Sequence, residues 1–165
     1  MLISEETKQA LYALITECFK MNRLIDRQVS VLGTKFYMNN TASLCHKSIA
    51  HYFPTLSDLI GEQCLERYGI SVEYGETPSG KEDYVSVEEI LTSMNENVIT
   101  FQTMLMGVID IANNKKDIQV FSDLLILLSD YNKIVEQTLL LVDKISVYDN
   151  PQSFDAHIKE HFWIL

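Results

Sequence analysis

The feature that most constrains this chain is the grouping of its apolar residues into four long stretches of helical period, joined by a short link, a long link and a short link. Apolar positions that return every three or four residues form one stripe of an α-helix. The short links, one running roughly from Gly33 to Asn40 and one through Asn113, Asn114, Lys115 and Lys116, make antiparallel neighbours of the helices they join. The long link, Gly69 to Val85, holds three of the six glycines and a proline, with no helical period. A loop of about 17 residues can reach on the order of 55 Å, enough to run beside helices of about 40 Å. The expectation is an all-α four-helix bundle with one long crossover between the second and third helices, forming a single domain over 1–165.

The first helix is expected from about Glu5 to Leu32, with Ser4 as its N-cap and Gly33 as the glycine that stops it. Its stripe is Leu11, Leu14, Ile15, Cys18, Met21, Ile25, Val29 and Leu32. The second, about Thr41 to Tyr68, aligns Ile49, Phe53, Leu56, Ile60 and Cys64 and meets Gly69 at its end. Pro54 inside it predicts a kink or break near Tyr52 and Phe53, because proline removes a helix hydrogen bond and crowds the preceding turn. The third opens with the capping box Ser86-Val87-Glu88-Glu89 and runs through Ile90, Met94, Val98, Phe101, Leu105, Val108 and Ala112. The fourth, capped by Asp117, runs through Phe121, Leu124, Leu128, Val135, Leu139 and Val142 and ends before Pro151. A short C-terminal helix from Ser153 to Phe162 follows from the spacing of Phe154, Ile158 and Phe162.

Large apolar residues also fall outside these stripes: Leu24, Val31, Ile99, Leu127, Leu140 and Leu141. A helix that is apolar beyond one face needs a second cover, so the chain is expected to self-associate as a homo-oligomer. A net charge of −10 makes nucleic acid an unsuitable partner and cations the more natural guests. The opening Met1-Leu2-Ile3-Ser4-Glu5-Glu6 has no basic region followed by an apolar run, and no apolar segment approaches the ~20 residues of a membrane span. A cytoplasmic protein without a membrane partner is therefore expected. Cys18, Cys45 and Cys64 are widely spaced and form no Cys-x-x-Cys pair, which reads as buried small hydrophobes.

The candidate chemistry lies on the second helix. His51, Asp58 and Glu62, separated by seven and four residues, share one stripe of a continuous helix, opposite Leu56 and Ile60. Two carboxylates and an imidazole suit Fe(II), Mn(II) or Zn(II). The plainer alternative is a solvated polar face. The core faces themselves carry Asn22 and Asn132, and the chain contains no Glu-x-x-His, so a di-metal centre inside the bundle is disfavoured. His157-Ile158-Lys159-Glu160-His161 matches an inverted zinc-peptidase motif in form only, with four residues after it. Met94, Met104 and Met106 read as core or interface filling.

Asp58-Leu59-Ile60-Gly61-Glu62, followed by Glu66-Arg67-Tyr68-Gly69 and the crossover, resembles the second helix of the Dps-type miniferritins, DNA-protecting members of the ferritin-like superfamily. The resemblance implies a ferritin-like four-helix bundle in which Asp58 and Glu62 bind iron at a subunit interface, with His51 or His46 assisting. The implied activity is that of a ferroxidase, oxidising Fe(II) for storage or for protection against oxidative stress. Thr34-Lys35-Phe36-Tyr37-Met38-Asn39 stands where the family has a His-Trp motif, and His46 lies near the place of its second histidine. The competing expectation is a non-catalytic bundle of the same fold that has lost its metal site and serves as an assembly module.

Overall fold

The computed structural model describes residues 3–164, and the regular structure among them is entirely helical. Met1, Leu2 and Leu165, the ends of the expected domain, lie outside the described residues. The helices are α1 (Glu5–Thr34), α2 (Asn39–Cys45), α3 (Tyr52–Cys64), α4 (Val87–Asn114), α5 (Ile118–Ile145) and α6 (Pro151–Ala156). A π-helical turn, His46–Ala50, joins α2 to α3, and 3-10 turns span Glu66–Tyr68 and Ile158–His161.

Polar contacts fix the direction of each helix. Asn22 and Asp26 of α1 meet Ala50 and His46, so α1 and the α2–α3 segment are antiparallel. Asn95 and Gln102 of α4 meet Thr138 and Asn132 of α5, again antiparallel. Gln28 near the end of α1 reaches Ser93 near the start of α4, while Ser4 reaches Asp117 after α4, so α1 and α4 are antiparallel neighbours. Tyr52 pairs with Asp130 and Arg67 with Asp123, which makes α3 and α5 antiparallel as well. The second and third long segments therefore point the same way, as a lengthwise crossover requires. That crossover climbs α1: Tyr12 donates to the Ser71 carbonyl, Thr16 accepts from the Gly75 amide, and Arg27 donates to the Glu82 carbonyl. A Cβ on Gly75 would stand 3.0 Å from Thr16 Oγ1, so glycine is what lets the strand of chain lie this close.

Helix ends depart from expectation where tertiary donors intervene. Ser4 caps α1 as expected, accepting from the Thr7 amide. Gly33, however, stays inside the helix, which closes at Lys35; the left-handed residue of the reversal is Tyr37, at φ 57°. Helix α1 runs on because its last carbonyls still find donors, Lys35 N–H on Val31 and Met38 N–H on Leu32. Gly69 does take the left-handed position, at φ 74°, but after a 3-10 turn, α3 having ended at Cys64. Ser86 caps α4, and Glu89 reaches back to the Val85 amide at 2.6 Å. Asp117 precedes α5 without capping it; its carboxylate accepts instead from the Ser4 amide and hydroxyl, tying the start of α1 to the α4–α5 turn. The expected C-terminal helix is split at His157 into α6 and a 3-10 turn, and its start is capped by Asn150 ahead of Pro151.

The core runs the length of the bundle, with Phe53, Phe101 and Tyr131 meeting edge-on and tilted at 5.1–6.0 Å between ring centroids near its middle. On α5 the buried stripe is Val120, Leu124, Leu127, Tyr131, Ile134, Thr138, Leu141 and Ile145. This corrects the expected stripe, which was turned by about one residue. Leu124–Leu128 and Leu139–Val142 are apolar on every side, so local period could not choose the phase. Val31, Leu127 and Leu141, expected outside the core, are buried, and Leu24 and Leu140 are half-buried; Ile99 is exposed as expected. The outward apolar residues include Met106, Leu125, Ile126 and Leu139. Met94 is fully buried and Met104 half-buried. Among the described residues no helix is long and apolar enough to cross a membrane.

Candidate functional site

The break in the second segment has a local cause. Pro54 has no N–H, so the Ala50 carbonyl, four residues back, loses its ordinary partner. The chain absorbs the ring with a π turn, in which the His51 amide bonds the His46 carbonyl at 3.2 Å. Asn22 then reaches across from α1 and donates to the Ala50 carbonyl at 2.9 Å. The asparagine on the expected core face thus serves backbone repair. Asn132, its counterpart on α5, accepts from Gln102 at 2.8 Å.

Helix α3 carries Asp58 and Glu62 on the side away from Phe53, Leu56 and Ile60, and both are exposed. They stand one turn apart, about 6 Å along the axis. Neither belongs to an ion pair among the described residues. Two carboxylates so placed repel one another, a small cost that a shared cation would reverse. Leu59 lies between the Tyr52–Asp130 and Arg67–Asp123 pairs along α3 and lines a groove with Asp130, and Ile126 lies between Asp123 and Asp130 along α5. Leu59 is half-buried and Ile126 is 67% exposed.

The expected histidines do not join the carboxylates. His51 is exposed and lies on the outward side with Asp58, but two turns away, about 10.5 Å along the axis. Its ring rests against His46, toward the opposite end of the segment, with centroids 4.2 Å apart. His46 Nδ1 lies 3.0 Å from an Asp26 carboxylate oxygen. Among the described residues no group of three or more His, Cys, Asp or Glu is arranged to hold a metal ion. Lys35 is bound to Asp83 and to the Tyr84 carbonyl.

The remaining candidates have structural employment. His157 contacts the Ser153 carbonyl and His161 the Tyr148 hydroxyl, so the terminal histidine pair is anchored separately. Cys18, Cys45 and Cys64 are free and fully buried, and burial pushes all three thiols up, Cys45 and Cys64 to about 12. Such thiols are held protonated and are poor nucleophiles. Tyr52 and Tyr131 are likewise pushed up, by burial first and then by the neighbouring Asp130 and Tyr52 respectively.

Three residues escaped the sequence reading. Asp26 meets His46 only because the hairpin folds, and nothing local announces it. Asp155 is buried, and its carboxylate accepts from the Thr41 amide and hydroxyl, each at 2.7 Å, and from the Asn40 amide, capping α2, whose own N-cap Met38 has no side-chain acceptor. Gln137, fully buried, donates to the His161 carbonyl and accepts from the Trp163 and Ile164 amides. No family model and no curated protein matches the chain.

Proposed function

We propose that this chain is a ferritin-like, Dps-type bundle that assembles with copies of itself and binds a divalent cation, Fe(II) as substrate, through Asp58 and Glu62 at a subunit interface. The observation that carries the reading is the pair itself: two outward carboxylates one turn apart, in no ion pair among the described residues, with the half-buried apolar Leu59 between them in sequence. A seam of apolar and uncompensated acidic groups suits contact with another subunit more than water. The topology, two antiparallel hairpins joined by a lengthwise crossover, supports the ferritin-like assignment. A single chain offers only two carboxylates there, so the remaining donors come from a neighbouring copy. In the ferroxidase reaction each Fe(II) loses one electron to dioxygen or peroxide, and the acidic site would hold the resulting Fe(III). The free, buried thiols suit a reducing, cytoplasmic setting.

The second reading, an assembly module without metal chemistry at the carboxylates, is favoured by one observation: the His51 ring packs against His46 and not beside Asp58. Light scattering together with calorimetry using Mn(II) or anaerobic Fe(II) separates the two. The first reading expects an oligomer whose cation uptake is lost in Asp58→Ala with Glu62→Ala. An oligomer that binds no cation selects the module, and a monomer at micromolar concentration removes both.

A further inference from the structure

We propose a second, independent cation site: His46 and His51 form a two-imidazole clamp for a borderline transition-metal ion such as Ni(II), Cu(II) or Zn(II), with Asp26 as the group that orients His46. It lies outside the Asp58–Glu62 reading and does not depend on it.

The π turn builds the clamp. In an α-helix, residues five apart point about 140° away from each other. A π turn closes its hydrogen bond between residues five apart and so brings them to one side. Here that bond joins His46 and His51, whose rings lie 4.2 Å apart at 62°. Two imidazoles on adjacent positions of one ion, at bonds of about 2.1 Å, have centroids about 4.6–5.3 Å apart, so the rings need to part by about 0.5–1 Å as they turn onto it. The backbone defect imposed by Pro54 thus creates a juxtaposition that an unbroken helix forbids.

Asp26 supplies the orientation. An ionised carboxylate only accepts, so its 3.0 Å contact assigns the proton of His46 to Nδ1 and leaves the Nε2 lone pair for a metal. A carboxylate on the far nitrogen is the usual support of a metal-bound histidine. Both rings are exposed, and His51 also lines a groove of about 330 Å³ between α3 and α5, with Tyr52, Asp130 and Lys133, so an ion and its remaining water ligands have access.

The test is calorimetric titration of the untagged chain with Ni(II) and Zn(II), with folding of each variant checked by circular dichroism. One ion per chain is expected at this site, with affinity at least tenfold lower in His46→Ala and in His51→Ala. Asp26→Asn keeps both imidazoles and should weaken binding about 10- to 100-fold, the range for lost support of a ligand. Pro54→Ala should also weaken it, with every donor intact, by relaxing the π turn. His157→Ala with His161→Ala should bind as wild type. No uptake by the wild type at millimolar metal, or undiminished affinity in either single histidine variant, overturns the site. Unchanged affinity in Pro54→Ala overturns the role given to the π turn.

Discussion

The α2–α3 segment and α5 occupy opposite sides of an antiparallel contact and span similar lengths, yet they hold their shape by different means. Helix α5 runs unbroken for 28 residues and lends groups to others: Tyr131 donates to the Val98 carbonyl, and Gln137 pins the chain end. The α2–α3 segment borrows instead. Its start is capped by Asp155 from α6, its break is served by Asn22 from α1, and its π turn is flanked by Asp26. A helix with intact backbone bonding can spend its polar side chains elsewhere. One interrupted by proline needs acceptors and donors from its neighbours, and the interruption determines which side chains face together.

If the borrowing is real, Asp155→Ala should have the largest effect. It removes a buried charged acceptor from two backbone amides and a hydroxyl, a loss of about 3 kcal/mol in urea unfolding. A loss under about 1 kcal/mol would show that α2 does not depend on its borrowed cap.

Alkaline pH should separate the two regions further. Cys45 and Cys64 belong to the interrupted segment and Cys18 to α1, and all three have folded pKa values raised above the unfolded value of about 8.5. Their contribution is complete below that pH and is lost as pH rises toward the folded values, because only the unfolded chain then releases the proton. At pH 9.5 the expected loss is on the order of 1 kcal/mol per thiol. Tyr131 of α5, also raised, keeps its contribution up to about 10 and loses it only above that pH. Denaturation at pH 7.5 and 9.5, in the wild type and in Cys45→Ala, tests this; a pH-independent midpoint would remove the distinction.

Asn22→Ala should cost about 1–2 kcal/mol by orphaning the Ala50 carbonyl. In a Pro54→Ala background the same change should cost less, since an amide hydrogen is restored four residues on. Equal costs in the two backgrounds would mean that Asn22 serves something other than the proline defect. The smallest effect belongs to the outward pair: without metal, Asp58→Ala should raise stability by a few tenths of a kcal/mol by relieving repulsion with Glu62.

Much of the scaffold was legible because it rests on local signals. Ser4 and Ser86 mark helix starts, Pro54 the break, and Gly69 the turn into the crossover, each through backbone chemistry confined to a few residues. The outward placement of Asp58 and Glu62 followed from spacing against Leu56 and Ile60. The site was less legible, because its partners come from far along the chain. His51 was placed on the right side of the helix, but its ring turns toward His46.

What the sequence determined by itself was the number of long helices, the lengthwise crossover and the interruption of the second segment, since periodicity, link length and proline chemistry act within one element. Only the tertiary structure decided the phase of α5, where apolar residues on every side left the buried face to be chosen by packing against Phe53 and Phe101. It also decided the fate of the carboxylates. Asp117 looks like a cap of its own helix yet bonds Ser4, and Asp155, in the short α6, caps α2 from more than a hundred residues away. A buried or half-buried acceptor goes to the amides that folding brings within reach, and sequence distance carries no information about which those are.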